Sequence, residues 1–124
     1  MKTFTVDEAN KMLPQVRPKL ERLKQLYGRI SVLREQATAA AAVSEAGGGM
    51  KGGSLYVKAL YEIGRITTEL GDEGVHLKDY DRGLIDFPSF RDGRIVLLCW
   101  QLGEREEIEW WHETEAGFAG RQRL

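Results

Sequence analysis

The chain has a single cysteine, two histidines, three prolines and no long apolar run. A lone thiol, Cys99, excludes an intramolecular disulfide and any structural zinc site built from several thiolates. A bilayer-spanning helix needs about 20 apolar residues, whereas the most apolar run, Ile95 to Trp100, has six. No membrane partner is therefore expected. The first five residues also lack the apolar core of roughly 7–15 residues that marks a secretory signal, so the expected compartment is the cytoplasm. An excess of either charge is missing too: 18 Lys plus Arg stand against 19 Asp plus Glu, which excludes a polycationic or polyacidic protein. The apolar fraction of 42% is too high for a wholly disordered chain, and 124 residues make one ordinary domain.

What is present begins with a helix start. Thr5-Val6-Asp7-Glu8 has the form of a capping box, with Phe4 placed ahead of it to pack on the first turn. Leu13, Val16, Leu20, Leu23, Tyr27 and Ile30 then recur at spacings of three and four, which puts them on one helical stripe. Pro14 and Pro18 each remove a ladder donor, so the pattern predicts a short first turn, a kink, and a straighter helix from about Pro14 into Ala39–Ala42. Five glycines between Ala46 and Gly53 predict a flexible hairpin loop over 46–53. Ser54 is the expected N-cap of a second helix carrying Tyr56, Leu60, Ile63, Ile66 and Leu70, with Gly71 as its end.

From Gly74 the period shortens to that of strands. Val75–Asp79 alternates, Tyr80–Gly83 reads as a turn, Leu84–Phe87 as a strand that Pro88 breaks, and Asp92-Gly93 as a two-residue hairpin turn. Arg94–Leu102 follows as a strand apolar on both faces, hence central and covered on each side. In Ile108–Glu113, alternation groups Ile108, Trp110 and His112 on one face, read as the inward one, and Glu109, Trp111 and Glu113 on the other. The tail from Ala116 to Arg121 is too glycine-rich for a helix. The expected fold is α+β: a single domain, 1–124, in which an antiparallel helical hairpin (1–73) packs on a small antiparallel β-meander with a tail (74–124).

Three stretches carry a resemblance: Leu77 to Pro88, Leu98-Cys99-Trp100-Gln101-Leu102-Gly103-Glu104, and Trp111-His112-Glu113 with Gly117-Phe118-Ala119-Gly120-Arg121. Together with the opening Phe4 to Asn10 and Leu13-Pro14, they make the chain similar to a bacterial family known as domain of unknown function twenty-two-zero-three. The resemblance implies a shared fold and a set of polar motif residues, but no reaction. His76 falls where that family's pattern varies.

Several motifs fail on context. Gly47, Gly49 and Gly52 satisfy the dinucleotide-binding glycine pattern, yet a helical segment precedes them instead of a strand. Asp79, Asp81 and Gly83 resemble the start of a calcium loop, but the glycine comes one place early. Cys99, in the middle of an apolar strand, reads as a small core residue whose burial prevents nucleophilic work. Trp100, Trp110 and Trp111 read as core aromatics. What remains is a cluster of polar residues near the turns: His112, Glu113, Asp79, Asp86 and His76 as candidate ligands for a divalent metal such as zinc, with Arg121, Trp111 and Glu104 as candidate ligand-binding residues. The competing assignments for His112 are a hydrogen-bonded core residue and a general base oriented by a carboxylate.

The near-zero net charge hides two blocks. From Asn10 to Arg34 seven bases meet one acid, a net of +6, and from Glu104 to Glu115 six acids meet one base, a net of −5. No nucleic-acid motif accompanies the basic helix, so a homodimer through the hairpin, a small anionic ligand or a protein partner is expected ahead of nucleic acid. The function expected is that of a binding or interaction module, with a metal-dependent or His-based hydrolase-like enzyme as the alternative.

Overall fold

The computed structural model describes residues 1–45 and 51–124. Helix α1 (Val6–Glu45) and helix α2 (Lys51–Asp72) are followed by strands β1 (His76–Asp79), β2 (Leu84–Arg91), β3 (Arg94–Gln101), β4 (Trp110–Glu113) and β5 (Gln122–Arg123), with a 3₁₀ turn at Phe118–Gly120 before the last. All five strands are antiparallel neighbours in chain order. The protein is an α+β fold. No described helix is long and apolar enough to cross a membrane.

The capping box forms as the sequence dictates: the Thr5 amide donates to Glu8 Oε1 at 2.8 Å, and the Glu8 amide donates to Thr5 Oγ1 at 3.1 Å. The bond from the Thr5 amide, followed by the Thr5 hydroxyl, holds the Glu8 carboxyl below its usual pKa. Phe4 reaches past the first turn to the sheet, where its ring meets Phe87 edge-on at 5.2 Å and its amide donates to the Pro88 carbonyl. Helix α1 then continues through both prolines, so no separate first turn precedes Pro14. Both prolines face outward, and the buried stripe of Ala9, Leu13, Val16, Leu20, Leu23, Leu26 and Leu33 keeps its contacts although two ladder bonds are lost.

Helix α2 begins at Lys51, so Ser54 lies inside it and caps nothing; of the expected 46–53 loop, 51–53 are helical and 46–50, including Gly47 and Gly49, lie outside the described residues. Its end is also later than Gly71. The Val75 amide donates to the Leu70 carbonyl and the Gly74 amide to the Gly71 carbonyl, with Gly74 at φ +88, a Schellman closure. Leu70 and Val75, the apolar pair that accompanies such a cap, are both in the core.

The helices pack mainly through apolar burial. Arg22 grips Glu62 with two 2.7 Å bonds and Lys19 pairs with Glu69 and Glu73. Partly exposed pairs of this kind contribute about 0–1 kcal/mol each, against roughly 1.5–3 kcal/mol for a fully buried Leu or Ile side chain. Three of the seven positive charges in the basic block thus meet acids of this chain, since Arg17 also binds Glu106 of the acidic block at 2.6 Å.

Asp92 (φ +51) and Gly93 (φ +78) form the β2–β3 turn, and both central residues at positive φ are what a type I′ hairpin requires. Contrary to expectation, β2 runs through Pro88 to Arg91. Strand β1 pairs only with residues 84–86, so at Pro88 no strand lies on the other side of β2; Phe4 donates to the Pro88 carbonyl there and asks for no N–H in return, so the missing donor is tolerated. The face of Ile85, Phe87, Val96, Leu98, Trp100 and Trp111 joins the core under the helices. The opposite face carries Asp86, Leu97, Cys99, Trp110 and His112, placing Trp111, and not Trp110 or His112, in the helix-covered core.

Strand β3 is buried on both faces, and on the second one Arg121 of the tail stacks against Trp110, the residue opposite Cys99. The tail's 3₁₀ turn and β5, which sets Arg123 opposite Trp110 and Gln122 opposite Trp111, add a fifth strand that the glycine-rich sequence concealed.

Candidate metal centre

The outer face of the sheet builds the site by register alone. Counting outward from the two-residue turn at Asp92-Gly93 puts Cys99 directly opposite Asp86, and β4 then puts Trp110 opposite Cys99 and His112 opposite Leu97. Opposed residues of antiparallel strands project to the same side. The His112 ring therefore leans across from β4 to reach Asp86, with Nε2 and Asp86 Oδ1 3.0 Å apart. Donor atoms of Asp86, Cys99 and His112 all lie within 4.8 Å of one another, and all three residues are buried.

Proton counting fixes the resting arrangement. His112 Nδ1 lies 2.8 Å from the Glu113 backbone carbonyl, which can only accept, so Nδ1 carries hydrogen and Nε2 faces Asp86. The contact with Asp86 needs a proton of its own, shared as imidazolium–carboxylate or as imidazole–carboxylic acid. Either form leaves the buried pair neutral overall, as burial demands. The Cys99 thiol is pushed up to about 12, first by burial and then by the negative charge of Asp86, while Arg121 acts in the opposite sense. It is no free nucleophile.

Around this centre lies an alternating stack of cations and rings. Arg82 sits 4.0 Å from the Phe118 ring, Arg121 is 4.7 Å from Phe118 and 4.8 Å from Trp110, and Arg123 is 5.1 Å from Trp110. The Arg121 side chain is 8% exposed and donates from Nη2 to Glu104 Oε2 at 2.6 Å. Contacts of this type are worth about 0.5–2 kcal/mol each, and together they hold the tail on the sheet.

Residues 2–124 match a family described as an uncharacterized conserved protein, DUF2203. The chain belongs to that family. No curated protein and no solved structure matches it.

Of the metal candidates read from the sequence, this DUF2203 chain brings together Asp86 and His112. Glu113 points elsewhere and binds Arg94 at the surface. Asp79 accepts the Arg82 amide at 3.1 Å and caps the β1–β2 turn. His76 lies opposite Asp86 in register, half-buried, outside the cluster of three donors. Among the ligand-binding candidates, Arg121 and Glu104 form a pair beside the centre, whereas Trp111 is in the core on the other face, its ring 4.6 Å from Arg91. Cys99, read only as a core residue, is the third donor. Its signal was the hairpin register, which the Asp92-Gly93 turn alone suffices to count.

Proposed function

We propose that this chain is a small metal-binding module of bacterial, cytoplasmic origin, holding one divalent transition-metal ion between Asp86, Cys99 and His112. The observation that carries the reading is the convergence of one sulfur, one nitrogen and one oxygen donor within 4.8 Å on three buried residues of the sheet. Tetrahedral zinc takes these donor types at about 2.0–2.3 Å, which sets the donors roughly 3–4 Å from one another. Small side-chain shifts thus suffice to enclose an ion. The mixed set favours zinc or cobalt(II) over calcium or magnesium, which select oxygen. The bond from His112 Nδ1 to the Glu113 carbonyl supports this reading, because metal-binding imidazoles are oriented by such a bond on the other nitrogen.

Elemental analysis of the purified chain and of Cys99→Ser and His112→Ala tests the proposal. One equivalent of zinc or cobalt in the parent, lost in both variants, is expected; equal metal content in all three would overturn it.

Two further readings have an observation each. Three protein donors are the number of an open catalytic site, which favours a metal-dependent hydrolase as the alternative; an ester- and phosphoester-hydrolysis screen of the zinc-loaded chain tests it. Exposed Leu55, Val57, Leu60 and Tyr61 on α2 favour a homodimer through the hairpin.

A further inference from the structure

Arg121 uses its guanidinium differently from two other arginines of this chain. Arg22 presents both Nε and Nη2 to Glu62, and Arg94 presents the same edge to Glu113. Arg121 has Glu104 on Nη2 only, because the other Glu104 oxygen turns away to accept the Gln101 amide at 3.0 Å. Its Nε is buried with no acceptor among the described residues. A desolvated N–H of a cation without a partner is uncommon in folded proteins and marks a place where an acceptor belongs.

The position of that donor is set by Trp110. The Arg121 guanidinium lies against the Trp110 ring, and Trp110 is the residue facing Cys99 across β3 and β4. The Arg121 guanidinium therefore lies on the same face of the sheet as the three donors, and three protein ligands would leave one corner of a tetrahedral ion unfilled. Glu104 and the rings of Trp110 and Phe118 fix Arg121 without using Nε.

Resting on the metal reading above, we propose that the site takes a small oxyanion together with its metal: one oxygen accepts from Arg121 Nε, and another fills the fourth position of the ion held by Asp86, Cys99 and His112. A positive guanidinium beside a cation site is otherwise unfavourable, and an anion between the two removes that conflict.

The test is a titration of the cobalt-loaded full-length chain followed by visible absorption, first with inorganic phosphate and then with acetate. A saturable change of the cobalt bands is expected, with cobalt binding tightened about tenfold by the same anion, since the coupling is reciprocal. A response to phosphate alone assigns a phosphoryl oxyanion, and a response to both assigns a carboxylate-sized one. Arg121→Lys should keep the cobalt stoichiometry and weaken the anion response about tenfold or more, the usual effect of losing an outer-shell donor. Cobalt bound with bands and affinity indifferent to both anions, or Arg121→Lys responding like the parent, overturns this proposal alone. Failure of the parent to bind cobalt overturns the metal reading and this one with it.

Discussion

Cys99 and Asp86 face each other across the β2–β3 hairpin, on the side of the sheet turned away from the helices. The pairing puts a thiol and a carboxyl beside the His112 imidazole without any loop taking part. A site built on paired strands inherits their rigidity, which is what a coordination geometry needs.

Metal affinity should climb with pH. Burial pushes the Cys99 thiol up to about 12, so at neutral pH an incoming ion must displace its proton. That displaced proton makes binding about tenfold tighter per pH unit below the thiol's pKa. Competition titrations between pH 6 and 8 check this, the range being chosen as about one unit either side of neutral; an affinity flat in pH would contradict thiolate coordination.

Breaking the Asp86–His112 pair from one side should cost more than removing it whole. His112→Leu alone leaves a buried carboxyl without its partner, and Asp86→Leu leaves a buried ring nitrogen, each at about 3 kcal/mol. In the double variant no orphan remains, so its cost should fall below the sum of the two. Urea unfolding of the four chains in the presence of a chelator measures the cycle.

Gly74 and Gly71 should respond oppositely to alanine. At Gly74 the φ of +88 and a Cβ only 3.1 Å from Lys2 predict a loss of about 1–3 kcal/mol. At Gly71 a Cβ meets nothing within 4 Å and the backbone is helical, so alanine should stabilise by up to ~1 kcal/mol. Thermal unfolding decides between these positions as the helix terminator.

The exposed stripe on α2 predicts self-association that a charge abolishes. Val57 and Tyr61 are 63% and 72% exposed, and an apolar helix face of this kind is costly to leave in water. Light scattering should report a dimer that Tyr61→Glu converts to monomer; a monomeric parent at every concentration contradicts the prediction.

The helical stripe, the capping box, the hairpin turn and the α+β class were legible because each is a local pattern with one physical meaning. Pro88 was misleading: whether a proline ends a strand depends on what lies beside that strand, and the four-residue length of β1 is not written near position 88. Alternation separated Trp110 and His112 from Trp111 and Glu113 correctly, but Ile108, expected beside Trp110, lies ahead of β4 and joins the core with Trp111, so the inward face was the other one. Lys51 to Ser54 joined the helix against local glycine preference. Asp86 and His112 stood out as polar residues near turns, whereas Cys99 looked apolar by its neighbours and gained its meaning only from the strand opposite.

The sheet's two coverings differ in how they can be removed. The helical layer is part of one continuous apolar cluster that also includes β2, β3 and Trp111, so it can separate only by global unfolding. The outer layer is nine residues, 116–124, attached by a two-residue strand, the Arg–aromatic stack and the Leu124 amide on the Glu109 carbonyl. It can therefore lift as a local opening while the rest of the fold stays intact, uncovering Trp110 and the outer edge of β4. Amides of β5 should thus exchange with solvent well before those of β3.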